Sequence, residues 1–359
     1  TALPMETRYD CDLLTAFTQK LFVKAGVPAA DAAALAEALV LTDMRGIWSH
    51  GVIRSAHYLQ CVQAGGIKPA AELAVIAEGP CYLRLSAQGG LGIPSSMRAI
   101  DMMLERASKQ AVFVTTMNHS DHFGAAGLYA QRLAEHGFLG YAMSNTPPMM
   151  AITGAGARAI GNNPWAYAAP GSKYRGILFD ICMAVVASGK VQIAMAENKK
   201  IPYGWIADKD GNPSNDPADV LKKGGFFLPV GDHKGYGFAL MVEIMTGVLG
   251  GAGVLGGVHA WNKQPGRDAN TGQCFVAINP EYFGGLAPFR AQIDHVIDTL
   301  LQSPKAPGVE RILYPGQLEF EKEAAARQHG VLLTDASLQE LRAAADLVQE
   351  PFSITPSAE

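Results

Sequence analysis

The chain has 359 residues, of which 48% are hydrophobic and 39 are glycine, and its formal net charge is −4. This length can bury a large core and would ordinarily form about two domains, and the composition fits a compact α/β enzyme better than a disordered or fibrous chain. The acidic balance and the absence of a basic run argue against a nucleic-acid or anionic-membrane partner. No apolar run has the length of a membrane span and the first 25 residues lack a signal-peptide core, so we expect a cytoplasmic protein.

The cysteine pattern argues against a disulfide framework and against a structural zinc site. The five cysteines are odd in number, widely scattered and never in a C-x-x-C pair. We expect each of them to be a small apolar residue in a reducing compartment.

The chain begins with two predicted helices, residues 10–24 and 28–43, separated at the Gly26-Val27-Pro28 break. A third helix is predicted from near His50 to about Ala64, followed by two glycines. In such a helix His50, Arg54 and Tyr58 would lie on one face. An imidazole moves protons near neutral pH, a guanidinium holds a carboxylate, and a phenol or the neighbouring Ser49 hydroxyl binds oxygen. The alternative is a solvated helix face without a function.

From about residue 81 the pattern changes to short apolar runs that alternate with helical ones. This alternation predicts an α/β fold in which helices pack on a sheet. The predicted strands are residues 81–86, 111–116, 138–144, 176–182 and 273–279, and the predicted helices between them are 95–110, 122–136 and 184–198. The part from about 287 to 349 is predicted to be helical again.

Two short motifs point to other functions. Residues 251–256 spell GxGxxG, but they follow an apolar helix where a dinucleotide fingerprint requires a strand, so we interpret them as a helix terminus and loop and expect no Rossmann domain. His119 and His122 have a spacing that metal ligands can use, but no third ligand follows at a telling distance. We prefer a ligand site at the carboxyl end of a strand that leads into a helix.

Seven motifs in a collinear order carry a resemblance to a known family. The chain resembles the type-2 malate/L-lactate dehydrogenases, which are unrelated to the Rossmann-fold enzymes and include ureidoglycolate, sulfolactate, diketogulonate and piperideine-carboxylate enzymes. The motifs are SHGVIR (49–54), HFGAAGLYA (122–130), GNNPWAYAAP (161–170), FDICMAVVASGK (179–190), IPYGWIADKDGNPSNDP (201–217), GDHKGYGFAL (231–240) and YPGQLE (314–319).

The resemblance implies hydride transfer between a nicotinamide cofactor, NAD or NADP, and C2 of a small 2-hydroxy or 2-oxo carboxylic acid. It implies that His50 or His122 exchanges the proton, and from side-chain chemistry we expect Arg54 to bind the carboxylate and Tyr58 and Ser49 to hold the substrate oxygen. The cofactor contacts that it implies are Thr146, Asn163, Asp180, His233, Lys234 and Gly316. No metal ligand is implied.

The implied fold is a mixed sheet with flanking helices plus a helical part built from both chain ends. We expect three parts, namely an N-terminal helical part (1–75), a mixed α/β cofactor-binding part (76–286) and a C-terminal helical part (287–359) that packs back on the first. A homodimer is expected from the family alone.

Some residues depart from the family pattern. FDICMAVV lacks the small hydroxyl residues usual after Asp180, which leaves the choice between NAD and NADP open. Trp48 is larger than the residue common before Ser49, so we expect it to narrow the substrate pocket, whereas His119 is an extra imidazole without an assigned role. The alternatives are a cyclic imino acid reductase on the same fold, a metal-dependent hydrolase or lyase using His119, Asp121 and His122, and a dinucleotide-binding protein without turnover.

Overall fold

A computed structural model describes residues 7–357 of the chain. Within this range the strands are β1 (Arg8–Tyr9), β2 (Ala74–Gly79), β3 (Tyr82–Ser86), β4 (Val112–Ser120), β5 (Leu139–Ser144), β6 (Trp165–Pro170), β7 (Gly176–Ile181), β8 (Ile206–Ala207), β9 (Pro213–Ser214), β10 (Phe226–Phe227), β11 (Thr271–Ile278) and β12 (Val331–Leu332). The α-helices are α1 (Cys11–Lys24), α2 (Ala29–Met44), α3 (Ser55–Ala64), α4 (Gly92–Ala107), α5 (Gly127–Glu135), α6 (Ser188–Ala196), α7 (Pro217–Leu221), α8 (His233–Glu243), α9 (Leu286–Leu301), α10 (Gln317–His329) and α11 (Asp335–Leu347).

A seven-stranded sheet with the order β2-β3-β4-β11-β5-β6-β7 lies at the centre. Strands β3 and β4 pair in parallel, and the other neighbours pair antiparallel. The prediction of an α/β fold with a mixed sheet is therefore confirmed. Strand β6 was missed because its motif, GNNPWAYAAP, begins with residues typical of turns.

The first helix after the Ser49 motif begins later than predicted. Two 3₁₀ turns, Trp48–His50 and Val52–Arg54, precede α3, which starts at Ser55. The reason is Asp43, a buried carboxylate at the end of α2, whose Oδ2 accepts a hydrogen bond of 2.8 Å from the Val52 amide. A Cβ on Gly51 would lie 1.9 Å from Asp43 Oδ1, so the chain passes against this carboxylate in an extended conformation instead of a helical one.

The largest apolar cluster contains side chains from α1, from the sheet and from α11, and it therefore joins both chain ends to the middle of the chain. Strand β1 pairs with β12, and the Trp48 indole donates to the Leu332 carbonyl at 3.0 Å. The Trp48 side chain therefore points toward the C-terminal part. The expectation that it narrows the substrate pocket is wrong. The division into three parts stays a prediction.

The GxGxxG sequence follows α8 and a π-helical turn, Ile244–Val248, and it forms a loop and a 3₁₀ turn, Leu255–Gly257. Our interpretation of this motif as a helix terminus and loop is confirmed. None of the helices described between residues 7 and 357 is both long enough and apolar enough to cross a bilayer.

Candidate active site

One cavity of about 790 Å³ collects most of the predicted site residues. Its walls come from the two 3₁₀ turns, the β4–α5 junction, the end of β7, the start of α6, the N terminus of α10 and the segment around Trp261. The predicted site residues on the wall are Ser49, His50, Arg54, His122, Thr146, Asp180 and Gly316.

Ser49, His50 and Arg54 form one hydrogen-bonded group. The Ser49 hydroxyl lies 2.7 Å from His50 Nδ1, and the Ser49 carbonyl accepts from Arg54 Nε at 2.7 Å. These contacts hold the guanidinium by one edge and leave its two terminal nitrogens for other partners. In the described part of the chain Arg54 has no ion-pair partner, so an anionic ligand would neutralise it.

His122 lies beside His50 and is supported from behind by Tyr58. The two imidazole rings stack with centroids 5.5 Å apart and an interplanar angle of 28°. The Tyr58 hydroxyl lies 2.7 Å from His122 Nδ1, and the Gly124 amide approaches the same nitrogen at 3.4 Å. Tyr58 is 1% exposed and is not on the cavity wall, so in this structure its hydroxyl contacts His122 and does not face the substrate side.

Burial keeps both imidazoles neutral. It lowers the pKa of His50 to about 3, with a further contribution from the Arg54 charge. Burial also lowers the pKa of His122 well below its ordinary value, and His50 and Arg54 lower it further. A carboxylate bound to Arg54 would oppose this charge and make proton uptake easier, which couples substrate binding to proton transfer.

Asp180 and Gly316 also lie on the wall of this cavity. Asp180 Oδ2 accepts from the Gly127 amide at the start of α5 at 2.7 Å, and burial raises the pKa of the carboxyl to about 6. Gly316 has φ of 95°, and a Cβ there would lie 2.9 Å from the Leu178 Cβ, so only glycine allows this close approach of α10 to β7. A carboxylate and a close backbone approach are features that a ribose or diphosphate requires.

Thr146 lies on the cavity wall, whereas Asn163 lies beneath the wall and binds the Thr146 backbone. Asn163 is fully buried, its Oδ1 accepts from the Thr146 amide at 3.0 Å, and its Nδ2 donates to the Ala239 carbonyl and to Glu243 Oε2 at 2.8 Å each. The side chain of its neighbour Asn162 lies on the wall instead. Direct contact between Asn163 and a cofactor, which the family motif implied, is therefore incompatible with this arrangement.

His233 and Lys234 do not lie on the wall of this cavity. Both are exposed at the N terminus of α8, just after Gly231, which has φ of 59°. Within one chain the structure does not bring these two residues to Asp180 and Gly316.

The histidine pair that suggested a metal site does not converge. His119, at the end of β4, has φ of 47° and places its Nδ1 2.7 Å from Asp268 Oδ2, whereas His122 faces Tyr58 and His50. Between residues 7 and 357 no group of three His, Cys, Asp or Glu side chains could hold a metal ion. The hydrolase or lyase alternative thus lacks the ligand set on which it depended.

Sequence reasoning missed Trp261, which lies on the cavity wall beside Arg54. The Arg54 guanidinium carbon is 5.6 Å from the indole centroid, and the His57 ring centroid is 3.3 Å from the same indole centroid. Trp261 follows the Gly-rich loop by five residues, and the only signal for it was an aromatic residue in a polar segment.

Comparisons with known proteins agree on one family. The malate/L-lactate dehydrogenase family matches residues 9–342. A malate dehydrogenase from Pyrococcus abyssi is 34% identical over 92% of both chains, and an NAD⁺ ureidoglycolate dehydrogenase from Escherichia coli is 32% identical over 89% of this chain and 90% of its own. The solved structure of sulfolactate dehydrogenase from Methanocaldococcus jannaschii superposes with a TM-score of 0.87 at 31% identity, covering 96% of this chain and 98% of that one.

Proposed function

This chain belongs to the malate/L-lactate dehydrogenase family, and we propose that it transfers a hydride between a nicotinamide cofactor and C2 of a small 2-hydroxy or 2-oxo carboxylic acid. The observation that carries the proposal is one cavity that holds a half-buried guanidinium, which has no ion-pair partner among residues 7–357, and two neutral imidazoles. A carboxylate-bearing substrate needs the first, and proton exchange at its hydroxyl needs the second. The fold supports it, since the chain matches non-Rossmann dehydrogenases along almost its whole length.

Asp180 and the cavity residues named with it fit a dinucleotide. Asp180 offers a carboxylate oxygen to a ribose hydroxyl, Gly127 and Gly316 line the same cavity without a side chain, and Thr146 also lies on its wall. When bound, the nicotinamide supplies or accepts the hydride. Asn163 supports Thr146 from behind and acts indirectly.

Arg54 binds the substrate carboxylate and orients C2. Its Nε is fixed by the Ser49 carbonyl, so the two terminal nitrogens can form the paired hydrogen bonds that a carboxylate prefers. This arrangement converts an encounter of separate groups into a reaction between positioned atoms, which is worth several orders of magnitude in rate.

His50 exchanges the proton, and His122 donates a hydrogen bond to the same oxygen. Tyr58 has His122 Nδ1 as its partner, so the phenol donates to that nitrogen and the neutral imidazole carries its proton on Nε2. His122 can therefore stabilise negative charge on the C2 oxygen but cannot accept the hydroxyl proton there. We assign to His50 the tautomer that donates Nδ1–H to Ser49 Oγ, because this tautomer keeps Nε2 free as the base.

The same site residues would also suit one related reaction, the reduction of a cyclic imino acid. A cyclic imino acid carries a carboxylate for Arg54 and a C=N bond in place of C=O, so a reductase of such acids uses the same residues. The structure does not carry a second observation in its favour, so the 2-oxo acid stands first.

We also propose that the chain forms a homodimer through the face of α8. Large apolar side chains line this helix and the π-helical turn after it, and they are unusually exposed for a monomer: Phe238, Leu240, Ile244, Val248 and Leu249. A second copy of the chain that covers this face would also approach the exposed His233 and Lys234. Light scattering of wild type and of V248E tests this, since a charge in the interface should give a monomer.

The test of function follows nicotinamide absorbance with NADH or NADPH against 2-oxo acids, oxaloacetate and cyclic imino acids. We expect turnover with at least one 2-oxo acid, a decrease of roughly 10²–10⁴-fold in kcat for H50N, and little change in cofactor affinity. Cofactor binding without any turnover would support the alternative of a binding protein, and no cofactor binding would contradict the proposal.

A further inference from the structure

The segment from His259 to Asn270 places an indole against the carboxylate-binding arginine. The Arg54 guanidinium carbon lies 5.6 Å from the centroid of Trp261, and the His57 ring lies 3.3 Å from it. Arg54 immediately precedes α3 and His57 follows it by three residues, so both side chains leave the same side of that helix. Trp261 thus covers a surface formed by the arginine and the imidazole together.

The contact with Trp261 restrains the Arg54 guanidinium in an orientation that leaves its terminal nitrogens free to bind a carboxylate. Arg54 Nε is bound to the Ser49 carbonyl at 2.7 Å, which fixes one edge, and the indole ring lies within the distance at which a cation is attracted to an aromatic face. A guanidinium restrained at both an edge and a face loses less conformational entropy when it binds a carboxylate. The terminal nitrogens stay available in the plane of the group.

The segment that carries Trp261 is fastened at its far end by His119. His119 Nδ1 lies 2.7 Å from Asp268 Oδ2, and the His119 amide donates to Asn270 Oδ1 at 3.2 Å. Within the segment the His259 ring lies 2.8 Å from the Asp268 carbonyl. The end of β4 therefore holds the segment at one point and, three residues later, contributes His122 to the active site.

We propose that Trp261 is the positioning residue for Arg54, and that the His119–Asp268 pair fastens the segment that delivers it. This inference rests on the proposed function, because it assigns to Arg54 the binding of the substrate carboxylate. It gives a role to the imidazole that the sequence left unassigned. Under this proposal Trp261 affects the affinity for the acid and not the rate of hydride transfer.

The first test is steady-state kinetics of W261A with a 2-oxo acid at saturating NADH. We expect KM for the acid to rise about tenfold, equal to about 1.4 kcal/mol of lost binding free energy, while kcat changes by less than about threefold. W261F keeps an aromatic face and should stay within about threefold of wild type. Trp205, which packs in a separate apolar cluster, provides the matched control W205F, with unchanged KM.

A second variant acts at the fastening point. H119A removes an exposed contact with Asp268 that lies outside the cavity wall, so KM for the acid should rise by roughly two- to fivefold without loss of kcat. Because this residue is on the surface, the variant should fold even if W261A does not.

Binding is measured separately by calorimetry with oxamate, the amide isostere of a 2-oxo acid, in the presence of NADH. Weaker oxamate binding to W261A with recovery in W261F supports the inference. Wild-type turnover combined with unchanged KM and oxamate affinity in W261A overturns it and leaves the dehydrogenase standing. Wild-type protein that neither turns over 2-oxo acids nor binds oxamate overturns both.

Discussion

Replacing Asp180 with asparagine should make the protein without cofactor more stable at neutral pH. Burial raises the pKa of this carboxyl from 3.8 to about 6, so ionising it costs more in the folded chain than in the unfolded one. A difference of about two pKa units corresponds to about 3 kcal/mol, and because Asp180 lies on an open cavity wall we expect water to reduce this to about 2 kcal/mol. The asparagine oxygen can still accept from the Gly127 amide.

The pH dependence has a definite sign. The folded carboxyl binds its proton more tightly than the unfolded one, so the wild type loses stability as pH rises from about 4 to about 6, and the whole penalty is present above pH 7. D180N removes the penalty, and its advantage should disappear near pH 4. For a chain of this size, about 2 kcal/mol corresponds to a Tm increase of about 3 °C.

Thermal unfolding of both proteins at pH 7.5 and pH 4.5 measures this, together with NADH affinity, which should weaken about tenfold. D298N is the control of opposite sign, because hydrogen bonds from Lys173 and Tyr174 lower the pKa of that exposed carboxyl, and its loss should not stabilise. A D180N protein that is less stable at pH 7.5, or equally stabilised at both pH values, would refute the reasoning.

Three further predictions concern the groups around Arg54. Y58F removes the donor to His122 Nδ1, so kcat should fall roughly 10–100-fold with NADH affinity kept, as steady-state kinetics and fluorescence titration would report; an unchanged kcat contradicts the role of Tyr58. Since the pKa of His50 lies at about 3 in the folded protein, kcat/KM for hydroxy-acid oxidation should stay level down to about pH 5, whereas kcat/KM for reduction should rise as pH falls from 8 to 5; pH profiles with a bell centred near 7 would contradict it. D43A removes the acceptor for the Val52 amide and should lower both stability and kcat/KM, whereas D43N keeps an acceptor and, because burial raises the pKa of Asp43 well above its ordinary value, should not lose stability; a D43N protein as unstable as D43A would show that the hydrogen bond is not what matters.

Most strands and helices could be predicted from the sequence because their apolar patterns and turn residues are local. The apolar runs that became β4, β5, β7 and β11 lie within one or two residues of the structure at most ends, and the helices α1 and α2 follow an apolar stripe and a Gly-Val-Pro break. Strand order was out of reach, since β11 inserts between β4 and β5 from more than a hundred residues away. Such pairing depends on packing between distant segments and not on local pattern.

The site residues also fall into those that local motifs reveal and those that depend on contacts between distant segments. His50, Arg54 and His122 could be found because their motifs are local, but the helix thought to align His50 with Tyr58 is interrupted by a contact between Asp43 and Gly51. Tyr58 reaches His122 through a tertiary contact that spacing alone does not reveal. Trp261 could not be found at all, because its position depends on His119 and Asp268, which lie far apart in the chain.

Isotope transfer tests the central claim most directly. The protein is incubated with NADH that carries deuterium at both C4 positions and with a 2-oxo acid that it turns over, and the hydroxy acid is analysed by mass spectrometry. With wild-type protein we expect one deuterium on C2 of the hydroxy acid. With H50N we expect product formation to be lost. Product without deuterium at C2, or equal labelled product from H50N, would contradict it.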